Sequence, residues 1–572
     1  MGPVVFYCPV RSDAHLEKSY GGADSITDRL HRSNDEKLWG GTLNNNQANT
    51  TYYQYNGVDR LAGLYTDATS GTNLKREMFS TSGQYPSFDR FGRTVTQTWK
   101  NRTSGNVLDQ FTYTYDYAGN RTLRAWAGSG TGGNQDFAYD GLHRLRQFRK
   151  GSPGSGGYVS SINYQENWTL DPLGNWSEFK IDIDGNGTFT GTSDLTQQRY
   201  FNAANEFYGS GGGSITAYGG QADWADPQQD AAGNTTTIPK PASLTTSYTL
   251  TYDAWNRLVK VADGGTTVVT YEYDGLGHRI VKDVAGGTTN DREYYYNDKW
   301  QLLTETKPSG VEAIYQWHPF YVDALAVRMR ASDTHFFLHD VNYNVTAAVL
   351  DSTDAVVERY NYTAYGVPTF LNASFGGISS SAIGNAHLYT GRERDSESGL
   401  QLNRHRYYAS HLGRWLTRDP IGYEGSSKNL YQYIGGRVND RVDPSGLEQA
   451  RYCQGILCLA LFGQKKCCVA YDARDVGNAA AAGLPGQQDG LGDAVRHCAG
   501  MCHLVRNGLS ANEARAIGNI HEFCVPNTPG ATCMDKGNNE VGIEIGIRTS
   551  GECRDECRKA ASSGKLITSP CP

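Results

Sequence analysis

Tyr252-Asp253-Ala-Trp-Asn256-Arg257-Leu258 is a phrase that the chain repeats. It returns as Tyr271-Glu-Tyr-Asp274-Gly-Leu-Gly277-His-Arg279, as Tyr139-Asp140-Gly-Leu-His-Arg144-Leu145 and as Tyr113-Thr-Tyr-Asp116-Tyr-Ala-Gly119-Asn-Arg121. Looser copies are Tyr53-Gln-Tyr-Asn-Gly-Val-Asp-Arg60-Leu61, Phe88-Asp89-Arg-Phe-Gly-Arg93, Asp171-Pro-Leu-Gly174-Asn175 and Asp230-Ala-Ala-Gly233-Asn234. Successive anchors lie roughly 20–35 residues apart, the spacing of stacked repeat units. Each copy reads as an alternating strand, a tight Asp- or Asn-led turn and a second alternating strand, which is a β-hairpin. A lone hairpin cannot bury its apolar face, so neighbours must stack into a continuous sheet. The expected fold is mainly β, a spiral of β-hairpin repeats over 51–385, preceded by a segment 1–50 in which no repeat is evident.

Composition agrees with strands and turns. Among 572 residues, 67 are glycine and 37 tyrosine; tyrosine suits half-buried strands and glycine the turns between them. The net charge of −7 does not suggest a nucleic-acid coat. No apolar run approaches the roughly 18–20 residues of a membrane helix, and no signal peptide is read at the N-terminus. Of the 12 cysteines only Cys8 precedes residue 448. So sharp a shift marks a boundary, and it suggests a tail, 448–572, that matures in an oxidising compartment with disulfides rather than zinc knuckles. The tail's eleven cysteines are an odd number, so at least one lacks a partner within it. With 13 Lys+Arg and 13 Asp+Glu, the tail is neutral, which disfavours a nucleic-acid partner. Asp182-Ile-Asp184-Gly-Asn186-Gly187 begins like a calcium loop, but Ser193 stands where a closing Glu belongs, so a plain turn is preferred.

The repeats resemble the tyrosine–aspartate repeats of the rearrangement-hotspot (Rhs) family, of teneurins and of insecticidal toxin-complex C subunits. That resemblance implies a hollow β-cocoon around a passenger; this shell is short for a full cage, so it is expected to be incomplete or completed by another chain. From residue 388 the text changes to Tyr389-Thr-Gly391-Arg392, Leu402-Asn-Arg404-His-Arg406-Tyr407-Tyr408, Gly413-Arg414-Trp-Leu-Thr-Arg418-Asp419-Pro420 and Asp443-Pro444-Ser-Gly446-Leu447. This is similar to the Rhs core-associated segment, placed here at 386–447. The resemblance implies aspartyl self-cleavage, with Asp419 and Asp443 as the two carboxylates, Arg418 as an adjacent arginine and Leu447–Glu448 as the bond cut. Two carboxyls at contact distance cannot both ionise, so one activates water while the other keeps a proton for the carbonyl. The plainer reading is that both Asp-Pro pairs are turns.

In the tail, polar residues of catalytic type fall in three places. Asp489-Gly-Leu-Gly-Asp493-Ala-Val-Arg496-His497-Cys498 reads as the start of a helix, with Asp493 in its first turn. A helical stretch 514–520 leads to His521-Glu522, and Met534-Asp535-Lys-Gly-Asn538-Asn539 reads as a polar loop. The three pieces resemble a C-terminal module of uncharacterised function found behind Rhs and other polymorphic toxins. The residues expected to carry its chemistry are Asp493, Arg496, His497, His521, Glu522 and Asp535. A divalent metal on His497, His521 and Glu522 stays open, although the zincin spacing is absent and no cofactor is assigned. A buried polar network that only pins helices is the plainer alternative.

The function expected is a secreted polymorphic toxin. Its shell encloses and releases a C-terminal hydrolase of unknown reaction, acting on an envelope substrate and restrained in the producer by a cognate immunity protein. A component of a secretion machine or a shell-completing chain is a further expected partner. A glycan-binding adhesion protein with a disulfide-rich tail is the alternative, and a pore former is disfavoured because no long apolar helix is read.

Overall fold

The computed structural model describes residues 87–447 apart from breaks of one to three residues, and strand backbone between 26 and 77. In the C-terminal part it describes 480–481, 484, 491–517 and 529–568, with single-residue breaks. Two compact units result: a larger one over 19–55 and 61–449, and a smaller one that holds 450–572. The molecule is mainly β, an antiparallel repeat shell followed by a short helical C-terminal region. Among the described residues the strands form sheets of fourteen strands (26–218), fifteen (228–378) and four (393–415), each strand beside its neighbour in sequence.

The repeated phrase explains this order. At Asp140 the chain turns back: the main chains of Asp140 and Arg144 pair, and Asp140 Oδ1 accepts the Arg144 amide at 2.9 Å. Asp140 Oδ2 takes the Arg144 side chain at 2.7 Å. The same hook closes the turns at Asp89, Asp116, Asp171, Asp230, Asp253 and Asp274. Glycine fills the left-handed corner of several, as at Gly174 (φ +82°) and Gly233 (φ +86°), because no Cβ opposes that backbone.

Tyrosine and arginine then tie one turn to the next. Where a tyrosine precedes the turn it donates its hydroxyl to the carbonyl just past the preceding turn: Tyr139 to Arg121 (2.6 Å), Tyr252 to Thr235 (2.9 Å) and Tyr273 to Leu258 (2.6 Å). The arginine closing a turn reaches forward, as Arg144 does to the carbonyl of Asp171 at 2.8 Å and Arg257 to that of Asp274 at 3.2 Å. Further turns of this kind, at Asn202, Asn297 and Asp340, are not evident in the sequence. There Asn replaces Asp, or the corner is Asn205, Trp300 or Tyr343 instead of Gly.

The spiral closes on itself. Trp99 donates to the His339 carbonyl at 2.9 Å, Gln135 to Asn361 at 2.8 Å, and Asp109 takes Thr346 at 2.7 Å, so the fourteen- and fifteen-strand sheets meet across this seam. Residues 388–438 pack against the strands of the repeat unit. Tyr407, Tyr408, Trp415 and Tyr433 join Phe148, Trp176, Tyr271 and Tyr294 in one core. Arg279, fully buried, meets Asp395 at 2.8 Å and Tyr407 at 2.9 Å and also pairs with Glu393, which fixes the small four-strand sheet to the shell wall. In the calcium-like loop the acidic side chains serve the turn. Asp194, one residue past Ser193, turns inward beside Asp182 and Asp184, and both buried carboxylates are met by backbone amides.

The helices of the smaller unit include α1 (Leu491–Arg506), α2 (Pro529–Arg548) and α3 (Cys553–Ser562). Disulfides Cys498–Cys557 and Cys502–Cys553 staple α1 to α3. The stretch expected as a loop at 534–542 lies inside α2. Its glycines serve close approach: a Cβ on Gly542 would meet the Cys498 carbonyl oxygen at 2.2 Å, and one on Gly546 the Cys502 carbonyl at 3.0 Å. Among the described residues no helix is long and apolar enough to cross a membrane.

Candidate functional site

Two aspartate pairs carry the polar chemistry, one in each unit. In the repeat unit, Arg406 sits on the strand Arg406–Ala409 with its guanidinium 4.3 Å over the Trp415 ring. Its Nη2 is 2.8 Å from Asp419 Oδ2 and 3.8 Å from Asp443 Oδ2. The remaining donors go to main chain: Nη1 to the Leu430 carbonyl at 3.0 Å, and Nε to the carbonyl of Gly446. Burial pushes the Asp419 carboxyl up to about 6, against the pull of Arg406.

The segment ending at Leu447 is clamped beside this pair. Asn403 donates to the Asp443 carbonyl at 2.7 Å and Arg404 to the Pro444 carbonyl at 2.6 Å. Asp443 Oδ1 accepts the Gly446 amide at 2.8 Å and the Ser445 hydroxyl at 3.0 Å; that hydroxyl in turn accepts the Leu447 amide at 3.1 Å. Gly446 has φ +73°, and a Cβ there would lie 2.5 Å from the Asn403 carbonyl oxygen, so the glycine is what lets the segment lie against the strand.

Arg418 is placed elsewhere. It pairs with Glu206 and donates to Tyr431 at 3.3 Å, with its side chain 39% exposed. Successive side chains of an extended segment point to opposite faces, so adjacency to Asp419 in sequence carries Arg418 away from it. The residue that sequence reasoning missed is Arg406. An arginine inside an aromatic strand needs a buried acid, and that signal was available.

In the smaller unit, α1 and α2 bring together Asp493, His497 and Asp535. Both aspartates are 2% exposed. His497 Nε2 lies 3.5 Å from Asp493 Oδ1 and 3.3 Å from Asp535 Oδ1, and its Nδ1 lies 3.1 Å from Asn539 Oδ1. Arg496 pairs with Asp493. These ligand-type atoms lie within 4.8 Å of one another. Asn538 does different work, exchanging two 2.8 Å hydrogen bonds with the main chain of Ile567. His521 and Glu522 lie outside the described residues.

Residues 252–289 match the RHS Repeat family model, and residues 457–565 match the Domain of unknown function (DUF6973). The tRNA(Glu)-specific nuclease WapA of Bacillus subtilis subsp. natto is 31% identical over 205 residues, 35% of this chain and 8% of that protein. The double-stranded DNA deaminase toxin A of Burkholderia cenocepacia is 26% identical over 245 residues, 38% of this chain and 17% of its own length. The chain thus spans less than a fifth of either relative. A solved structure of the Photorhabdus luminescens Tc holotoxin pore matches with a TM-score of 0.51 and 16% identity over 71% of this chain and 20% of that one, a likeness of fold alone.

Proposed function

We propose that this chain is a polymorphic toxin of the Rhs type, in which the repeat unit cuts the Leu447–Glu448 bond and so frees the C-terminal effector, 448–572. The observation that carries this reading is the Asp419–Arg406–Asp443 cluster beside the clamped segment that ends at Leu447. Asp419, raised to about 6, is the carboxyl that keeps a proton near neutrality. Asp443 accepts amide and hydroxyl hydrogen bonds that fix its carboxyl beside Asp419 and Arg406. In the step proposed, Asp443 takes a proton from water as its oxygen attacks the Leu447 carbonyl carbon, and Asp419 donates to the carbonyl oxygen. Asp443 then gives its proton to the leaving nitrogen while Asp419 takes one from the tetrahedral hydroxyl, so the C–N bond breaks to a carboxyl on Leu447 and an amine on Glu448 and both aspartates return to their starting states. Arg406 holds the two carboxyls together without taking a proton itself.

The relatives named as a nuclease and as a deaminase toxin support a toxic role, and the two disulfides of the smaller unit fit an oxidising compartment. The effector is read as a hydrolase centred on Asp493, His497 and Asp535, with Arg496 on Asp493. An envelope substrate, an immunity protein in the producer and delivery by a secretion machine complete the proposal. Its domains are a leading segment 1–50, the shell 51–385, the plug 386–447 and the effector.

The test is Asp443→Asn in the full chain. Wild type is expected to run as two pieces on a denaturing gel and the variant as one 572-residue chain. A variant that still divides after Leu447 sinks the cleavage assignment.

A further inference from the structure

The geometry points to a divalent transition-metal site, of the zinc class, formed by Asp493 and His497 of α1 with Asp535 of α2. This deepens the reading of the smaller unit as an enzyme, and its chemical consequence rests on that reading.

Three features of the cluster converge. His497 Nδ1 faces the amide oxygen of Asn539 at 3.1 Å, an acceptor for a proton on Nδ1 that orients Nε2 towards the two aspartates. Histidines that bind metals are oriented in this way, through an acceptor on the second ring nitrogen. That Nε2 faces two carboxylate oxygens, at 3.3 and 3.5 Å. A cation placed among these three atoms would meet one ring nitrogen and two carboxylate oxygens at once.

The distances also suit a metal. Bonds of about 2.0–2.1 Å to tetrahedral zinc place neighbouring ligand atoms about 3.3–3.4 Å apart. The two carboxylates contribute two negative charges and Arg496 offsets one of them, so a dication leaves the cluster with a single positive charge. Both aspartates are buried, where uncompensated charge is costly. One nitrogen and two oxygen donors suit zinc, manganese or cobalt better than calcium, which takes six to eight oxygens. The stapling of α1 to α3 by two disulfides holds the helix that carries two of the three ligands in place before any metal arrives. Such a metal would lower the pKa of a bound water and supply the nucleophile of the proposed hydrolase.

The experiment uses the full chain, stripped with a chelator and titrated with zinc chloride by calorimetry and with cobalt(II) by visible absorption. Expected are one tight equivalent that His497→Gln or Asp535→Asn weakens at least about 100-fold, and a cobalt spectrum of four-coordinate type. Asn539→Ala, which removes only the outer hydrogen bond, is expected to weaken binding about 10-fold. Circular dichroism on each variant separates loss of ligand from loss of fold. Wild type that takes up neither metal overturns the proposal, and so does binding that folded His497→Gln and Asp535→Asn retain in full. The toxic reading is tested separately, by harm to bacteria exporting the full chain. Metal binding without harm removes the toxin and keeps the site, and harm without metal binding does the reverse.

Discussion

Each unit wraps two aspartates around one basic side chain, and the basic groups differ in kind. In the repeat unit it is Arg406, whose guanidinium is spread over two carboxyls, two main-chain carbonyls and the face of Trp415. In the smaller unit it is His497, which meets its two carboxylates through one ring nitrogen. Arginine keeps its charge at every working pH, so protons can be exchanged only on the aspartates. Histidine can give up its proton and offer a lone pair, so the centre itself can change occupant. The first arrangement suits proton transfer between carboxyls, and the second suits a metal.

The sharpest way to break this contrast is to remove the arginine. Arg406→Ala is expected to slow self-cleavage by about 100- to 1000-fold, the loss typical of a buried electrostatic group at a reacting centre. Arg418→Ala, which loses a partly exposed pair with Glu206, is expected to stay within a few-fold of wild type. The fraction of intact chain over time on denaturing gels reads both. Equal effects would mean that the residue next to Asp419 in sequence matters as much as the one next to it in space.

Acidity tests the proton's place. If Asp419 must hold a proton, cleavage falls towards tenfold per pH unit above about 6, and is about 50-fold slower at pH 8 than at pH 6. Protein refolded from denaturant across that range gives the rate. A flat profile would move the proton to another group.

Below neutrality the repeat unit carries its own liability. Burial lowers His387 to about 4 and His411 to about 3. A histidine held neutral in the fold but free to charge when unfolded stabilises the fold above its unfolded pKa of about 6.5 and loses that contribution as pH falls towards the folded value. Between pH 7 and pH 5 each is expected to cost about 2 kcal/mol, seen as a lower urea midpoint. His411→Gln should lessen the shift, and an unchanged shift would mean that His411 is hydrated in the folded protein.

These sites show what the sequence made legible. Where Asp, Gly and Tyr recur together, as at Asp140, Asp253 and Asp274, one can infer the hairpin from the residue types, because each type has a separate job in the turn. The turn at Asn297 hides because Trp300 occupies its left-handed corner at φ +59°. That backbone costs a bulky residue about 1–3 kcal/mol, which the hook to Gln301 helps to offset. The stretch 534–542 looked like a loop because glycine and asparagine usually break helices; here glycine is what lets α2 approach α1. In the same way Arg406 was hidden by distance along the chain, since only the fold brings residues 406, 419 and 443 to one point.

The smallest effect concerns one hook of the repeat. Burial raises the Asp140 carboxyl, but the backbone and side-chain hydrogen bonds of Arg144 and the Leu142 amide outweigh it and hold the group below the usual carboxylate range. Asp140 therefore stabilises the fold above the unfolded carboxylate pKa of about 3.9, and that contribution fades only as pH drops through the lower folded value. Asp140→Ala removes two amide acceptors and a partly exposed ion pair, and is expected to lower stability by about 2 kcal/mol at pH 7. Asp140→Asn keeps an oxygen for both amides and should cost about half as much. Equal losses for the two variants would assign the hook's strength to the ion pair with Arg144. No loss for either would mean that the tie from Tyr139 back to Arg121 and the reach of Arg144 forward to the Asp171 carbonyl hold the sheet without it.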